Sequence, residues 1–152
     1  MSKTIIVPID GSESALQALD VAAELAPSEE DKIVLLTVIG DKDVPKELQR
    51  YLEVEHVKGP PEWEYDQLIS TGIMDEGKKR LHEHDIHHVT SLVERGDPAE
   101  MIATTANQQS ADMIVMGNRG LGSVTGLVFG SVSRKVNHLA SCTVVTVNQG
   151  AG

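Results

Sequence analysis

Short apolar runs alternate with helix-patterned stretches along the whole chain, and this alternation constrains the fold more than any other feature. The runs are TIIVPI at 4–9, KIVLLTVI at 32–39, HHVTSLVE at 87–94, DMIVM at 112–116 and CTVVTV at 142–147. Apolar runs this short, bounded by turn signals, are what a strand buried on both faces requires. After the first run, Ala15, Leu16, Leu19, Ala22, Ala23 and Ala26 recur at three- and four-residue spacing, the stripe of an amphipathic helix. Ser12 stands before that stripe as an N-cap and Pro27 ends it. Residues 63–84 carry a second helical pattern. Asp97, followed by Pro98 at the first helical position and by Glu100, marks the start of a third helix that runs to about Gln109. A fourth is expected over residues 131–139. Residues 40–62 lose the beat; they are charged, contain Gly59-Pro60-Pro61, and read as a long surface excursion.

Strands separated by helices of this length form parallel βαβ units with right-handed crossovers. The expectation is one domain over residues 1–152, a doubly wound α/β sandwich in three layers with both faces of the sheet covered. Because only 3% of the residues are aromatic, its core must be aliphatic and few platforms remain for stacking nucleic-acid bases. A formal net charge of −10 repels DNA, RNA and anionic lipid, so neither nucleic acid nor a membrane is an expected partner. A bound phosphate would need local backbone N–H groups, since the general field opposes it. No run approaches the length of a membrane span, the N-terminal apolar run is too short for a signal-peptide core, and the single cysteine, Cys142, excludes an internal disulfide. A cytoplasmic location follows as an expectation.

The stretch GNRGLGSVTGLVFGS at 117–131 holds five glycines in fifteen positions. A solvated linker would not contain Leu121, Leu127, Val128 and Phe129. A P-loop needs a lysine directly after its second glycine, and the nearest lysine here is Lys135, well inside the helix. A dinucleotide fingerprint belongs after the first strand, whereas this stretch follows the fourth. What remains is an anion cradle of another design. Gly117 and Gly120 would permit close backbone approach and positive φ at a strand end. Gly130-Ser131 would then open a helix whose first N–H groups need an acceptor.

The spacing Gly117-xx-Gly120-(nine residues)-Gly130-Ser131 resembles the ATP-binding signature of the universal stress proteins. The likeness extends over nearly the whole chain: IIVPIDGSESA, VERGDPAEMI and GSVSRKVNHLASCTVVTV each resemble the family at the corresponding place. The resemblance implies a five-stranded parallel sheet of order 3-2-1-4-5, of the adenine nucleotide alpha-hydrolase-like, Rossmann-like kind. In that order a crevice opens at the carboxyl ends of strands 1 and 4, where α/β sheets bind ligands. Those ends are Pro8-Ile9-Asp10 and Met116-Gly117.

Carried over by position, Asp10 would accept hydrogen bonds from ribose or adenine, and the backbone of Val38 would recognise the adenine edge. Gly117, Gly120, Gly130 and Ser131 would cradle phosphates, with Val132 beside them, Ser133 as a weaker addition and Arg119 within reach. Read locally, Asp10 also suits an Asx-turn, Val38 the core, and Ser131 an N-cap. The resemblance implies ATP as ligand, and the charge argument adds a divalent cation, Mg²⁺ or Mn²⁺. It further implies a homodimer through the last strand, Val144 to Val147, and leaves room for an unidentified protein partner. Cys142-Thr143 stands where the family often has Cys-Pro.

The function expected is an ATP-binding regulatory or stress-response module, with no catalytic residue assigned. The alternatives are a slow ATPase or nucleotidyl-transferring enzyme of the same fold group, and a nucleotide-independent interaction protein. His84 and His88 have helical metal-ligand spacing, yet Asp85-Ile86 falls at a turn, so a solvated helix end is preferred. Cys142, read as the start of a buried strand, has no evident activating histidine and is read as structural.

Overall fold

A computed structural model describes residues 2–40, 62–118 and 131–148, without the side chains of 62–66. The excursion over 41–61, together with Arg119, Gly120 and Gly130, lies outside the described residues. Strands β1 (Thr4–Pro8), β2 (Lys32–Ile39), β3 (Val89–Arg95), β4 (Met113–Gly117) and β5 (Thr143–Val147) form one sheet, ordered β3-β2-β1-β4-β5. Every pairing is parallel. Helices α1 (Glu13–Leu25), α2 (Glu62–Glu83), α3 (Pro98–Gln108) and α4 (Ser131–Leu139) supply the outer layers.

The layers follow from strand alternation. Ile5, Val7, Ile33, Leu35 and Val115 point to one face and pack with Leu16, Leu19 and Ala22 of α1 and Met74 and Leu81 of α2. Ile6, Val34, Leu36, Ile114 and Met116 point to the other, against Ala99, Ile102 and Ala106 of α3 and Val136 of α4. Each fully buried Ile, Leu or Val stabilises the fold by roughly 1.5–3 kcal/mol relative to exposure. The three central strands match the expectation of burial on both faces; the outer two do not. No residue of β3 or β5 is fully buried, and Val93 is 47% exposed, because an outer strand has a neighbour on one side only.

Caps fix the helix boundaries. Ser12 Oγ accepts from Ala15 N at 3.2 Å and Asp97 Oδ2 from Glu100 N at 3.0 Å, as their sequence positions predict. The C-termini of α2 and α3 are Schellman motifs built without glycine. Asp85 (φ 60°) and Ser110 (φ 51°) occupy the left-handed positions, while Ile86 N donates to Leu81 O at 3.0 Å and Ala111 N to Ala106 O at 2.9 Å. The first motif moves β3 to Val89, two residues beyond the expected start at His87. At the amino end of the sheet, Asp31 Oδ1 accepts from Lys3 N at 2.8 Å and Asp112 Oδ2 from Thr4 N at 2.7 Å. Two carboxylates thus anchor β1 between β2 and β4.

Candidate functional site

At the opposite, carboxyl end of the sheet the winding reverses between β1 and β4. Crossovers from β1 lead to α1 on one face, while β4 precedes α4 on the other. Asp10 begins the exit from β1: its Oδ1 accepts from Ser12 N at 2.9 Å, and Gly11 takes φ 85°, a conformation open to glycine at no steric cost. The Asx-turn expected as the local reading of Asp10 is therefore present, and it turns the chain directly into α1.

Ile9 is more fully committed than its sequence position suggests. Its N–H donates to Leu36 O at 2.8 Å and its C=O accepts the buried Thr37 hydroxyl at 3.2 Å. Its side chain lies in the α1–α2 face of the core, and that of Met116 lies in the α3–α4 face. Val38 and Val132 also pack against the latter cluster. Ile9 and Met116 thus spend their side chains on the core, and Ile9 commits its N–H and C=O as well, while Val38 and Val132 are only partly buried. Pro8 closes β1 and is half-buried.

Gly117 ends β4, but its conformation is not the reason for glycine. Positive φ is absent here; among the described glycines it occurs at Gly11 and Gly96. A Cβ on Gly117 would lie 2.8 Å from the Ser14 carbonyl carbon and 2.9 Å from Ser14 Cβ, far inside ordinary contact. The missing side chain lets the first turn of α1 press on the end of β4, with Ser14 itself 1% exposed.

The first turn of α4 is brought to the same end. Ser131 is exposed, Val132 half-buried, and Ser133 buried with Oγ donating to Asn118 Oδ1 at 3.4 Å. Two helix N-termini thus flank the β1–β4 crevice, each with N–H groups that helix geometry leaves without an intrahelical acceptor and with the positive end of its dipole. The structure brings together Pro8, Ile9, Asp10, Met116, Gly117, Ser131, Val132 and Ser133 around this end of the sheet, with Val38 on the neighbouring strand. Lys135 points elsewhere: Nζ lies 3.1 Å from Asp97 Oδ2 and 3.9 Å from Glu100 Oε1, tying α4 to the start of α3. It is not a displaced P-loop lysine.

Ser14, Thr37 and Asn118 shape this end of the sheet and carry no sequence signal as site residues. Ser14 reads as an ordinary polar helix residue, Thr37 as one position in an apolar strand, and Asn118 as a spacer between glycines. Away from the crevice, His84 Nε2 lies 2.8 Å from Asp20 Oδ1, so just past the end of α2 it is engaged with a carboxylate of α1. Among the described residues no group of three His, Cys, Asp or Glu side chains is placed to hold a metal ion. Cys142 precedes β5 rather than starting it, and burial pushes its thiol pKa up, the direction of an unreactive thiol. No helix among the described residues is long and apolar enough to cross a membrane.

The model of the Universal stress protein family matches residues 1–148. Universal stress protein YxiE of Bacillus subtilis (strain 168) is 28% identical over 153 residues, covering 97% of this chain and 99% of that one. A universal stress protein of Thermus aquaticus, from the QAH/OAS sulfhydrylase 3′ region, is 32% identical over 155 residues, again covering 97% and 99%. Among solved structures, MJ0577 of Methanocaldococcus jannaschii superposes with a TM-score of 0.78 at 23% identity, covering 99% of this chain and 98% of that one. A universal stress protein in complex with cAMP superposes with a TM-score of 0.69 at 25% identity, covering 97% and 98%.

Proposed function

The chain belongs to the universal stress protein family, and from that premise we propose that it is an adenine-nucleotide-binding regulatory module. The observation that carries this reading is the convergence of two helix N-termini on the carboxyl ends of β1 and β4. Supporting it is the cAMP complex of a structurally similar relative. ATP is the nucleotide we assign, because the spacing Gly117-xx-Gly120-(nine residues)-Gly130-Ser131 resembles the family's ATP-binding signature and a helix N-terminus suits phosphate. In a protein of net charge −10, Mg²⁺ or Mn²⁺ would offset the charge of the triphosphate.

The residues fit such a ligand by main chain more than by side chain. Exposed Ser131 at the start of α4 offers a hydroxyl and N–H groups to phosphate. Asp10, a carboxylate at the end of β1, repels phosphate and accepts from ribose or adenine hydrogen-bond donors, which sets the polarity of the ligand. Lys135, the lysine nearest the glycine-rich stretch in sequence, is engaged with Asp97 and Glu100, so retention of the triphosphate rather than its cleavage is the expected behaviour. We place the protein in the cytoplasm as a homodimer joined along β5, able to present its nucleotide state to a protein partner.

Purified protein is denatured, any released nucleotide is identified by chromatography and mass, and ATP is titrated calorimetrically with and without Mg²⁺. The reading expects an adenine nucleotide in the released fraction or saturable ATP binding. It also expects at least a roughly ten-fold weaker affinity in Gly130→Ala at an unchanged unfolding midpoint, about 1.4 kcal/mol of lost main-chain contact. Absence of saturable binding for ATP, AMP and cAMP alike would end it.

A further inference from the structure

Asn118 joins three elements through one side chain. Its main-chain N–H donates to Val147 O at 2.9 Å, carrying the β4–β5 pairing one residue past β4. Its Nδ2 donates to Asn148 Oδ1 at 2.7 Å, directly after β5. Its Oδ1 accepts from Ser133 Oγ at 3.4 Å, in the first turn of α4. A primary amide has both a donor and an acceptor to give; an ionised carboxylate has no donor, and a methyl has neither. The residue lies in the two-residue spacer of the glycine signature, next to Gly117.

We propose that Asn118 is a positioning residue for the nucleotide site: its amide clasps the first turn of α4 to the end of β5. The phosphate-facing end of α4 and the open outer strand then respond together to nucleotide. This role in binding rests on the adenine-nucleotide reading above, whereas the clasp is a property of the ligand-free protein. Linkage makes the coupling reciprocal: a nucleotide that orders the start of α4 also orders the end of β5.

The test uses the full chain and three variants, Asn118→Ala, Asn148→Ala and the double substitution. In the ligand-free protein, amide exchange is followed at Lys135 and Val136 in α4, with Val34 and Leu35 in β2 as references. A neutral hydrogen bond contributes about 1 kcal/mol net, so exchange in α4 should rise roughly five-fold in each single variant and little further in the double. The β2 amides should be unchanged. Asn148 does not hydrogen-bond α4, so faster α4 exchange in Asn148→Ala reports transmission through Asn118, and that variant carries the test if Asn118→Ala does not fold. Unchanged α4 exchange in Asn148→Ala, or additive effects in the double variant, overturns the clasp. ATP affinity should fall roughly five-fold in both single variants. Wild type that binds ATP no better than the variants overturns the positioning role and leaves the nucleotide reading standing. Wild type that binds no nucleotide overturns both.

Discussion

A methyl group at position 117 would sit 2.8 Å from the Ser14 carbonyl carbon, and backbone cannot swing aside as a flexible side chain can. Gly117→Ala must therefore push the first turn of α1 away from the end of β4. Overpacking of this kind costs about 1–3 kcal/mol, so urea denaturation should show that loss even with no nucleotide present. An unchanged midpoint would mean that α1 shifts freely, and the close approach would then not explain the glycine. Loss of ATP binding in this variant cannot be assigned to a phosphate contact, which makes Gly130→Ala the better probe. The sequence marks a glycine at a strand end, and that much was legible. The reason for it is a contact across about a hundred residues of chain, which no local pattern carries. The same holds for Ile9, whose position pointed to the crevice while its N–H and C=O are already occupied by Leu36 and Thr37.

Between elements, α1 and α2 are clamped by a carboxylate. Arg80 Nε donates to Asp20 Oδ1 at 2.9 Å and an Arg80 terminal nitrogen to Oδ2 at 2.6 Å, with His84 Nε2 2.8 Å from Oδ1. The Arg80 hydrogen bonds, followed by that of His84, hold the Asp20 pKa below its ordinary 3.8 against the opposing effect of burial. A carboxylate with a lowered folded pKa contributes stability above its unfolded value, and the contribution fades as pH falls through the folded one. Asp20→Asn should thus be less stable than wild type above about pH 4, and the two should converge in more acid solution. The pair is about one-third exposed, so solvent screening limits the difference to about 0.5–1 kcal/mol. Unfolding curves at pH 3 and pH 6 check this; an equal gap at both would dismiss the ion pair as its source. Asp31 and Asp97 also have lowered pKa values, through backbone N–H donors from Lys3 and Glu100 first, and they steepen the acid limb in both proteins. Helix starts were legible because Ser12 and Asp97 act on N–H groups three residues away. The end of α2 was legible to within a residue, at 84 against Glu83, whereas the start of β3 was not, because Asp85 takes a left-handed position that normally announces itself as glycine and delays the strand to Val89.

For the whole molecule, the open edge at β5 is the feature that assembly would use. Val145 and Val147 pack on the α1–α2 cluster and Val144 on the other. Val147 O accepts from Asn118 N, so the backbone groups of Val147 and Val145 face β4 while those of Val144 and Thr146 face outward. Thr146→Pro removes an outward donor and leaves the β4–β5 ladder intact, a substitution that outer strands tolerate. If the proposed homodimer pairs along β5, sedimentation should give a two-chain mass for wild type and a one-chain mass for a folded Thr146→Pro. A two-chain mass for both would move the interface elsewhere.

The sequence by itself determined the order of elements and the parallel crossovers. These follow from hydrophobic period, capping residues and chain connectivity, all of which act over a few residues or through the handedness of a βαβ unit. Only the tertiary structure decided that Ile9 and Met116 are spent on the core, why position 117 must be glycine, where Lys135 is engaged, and that Asn118 links α4 to β5. Each of those depends on contacts between segments distant along the chain, and their partners are chosen by packing and hydrogen-bond satisfaction after the sheet has formed.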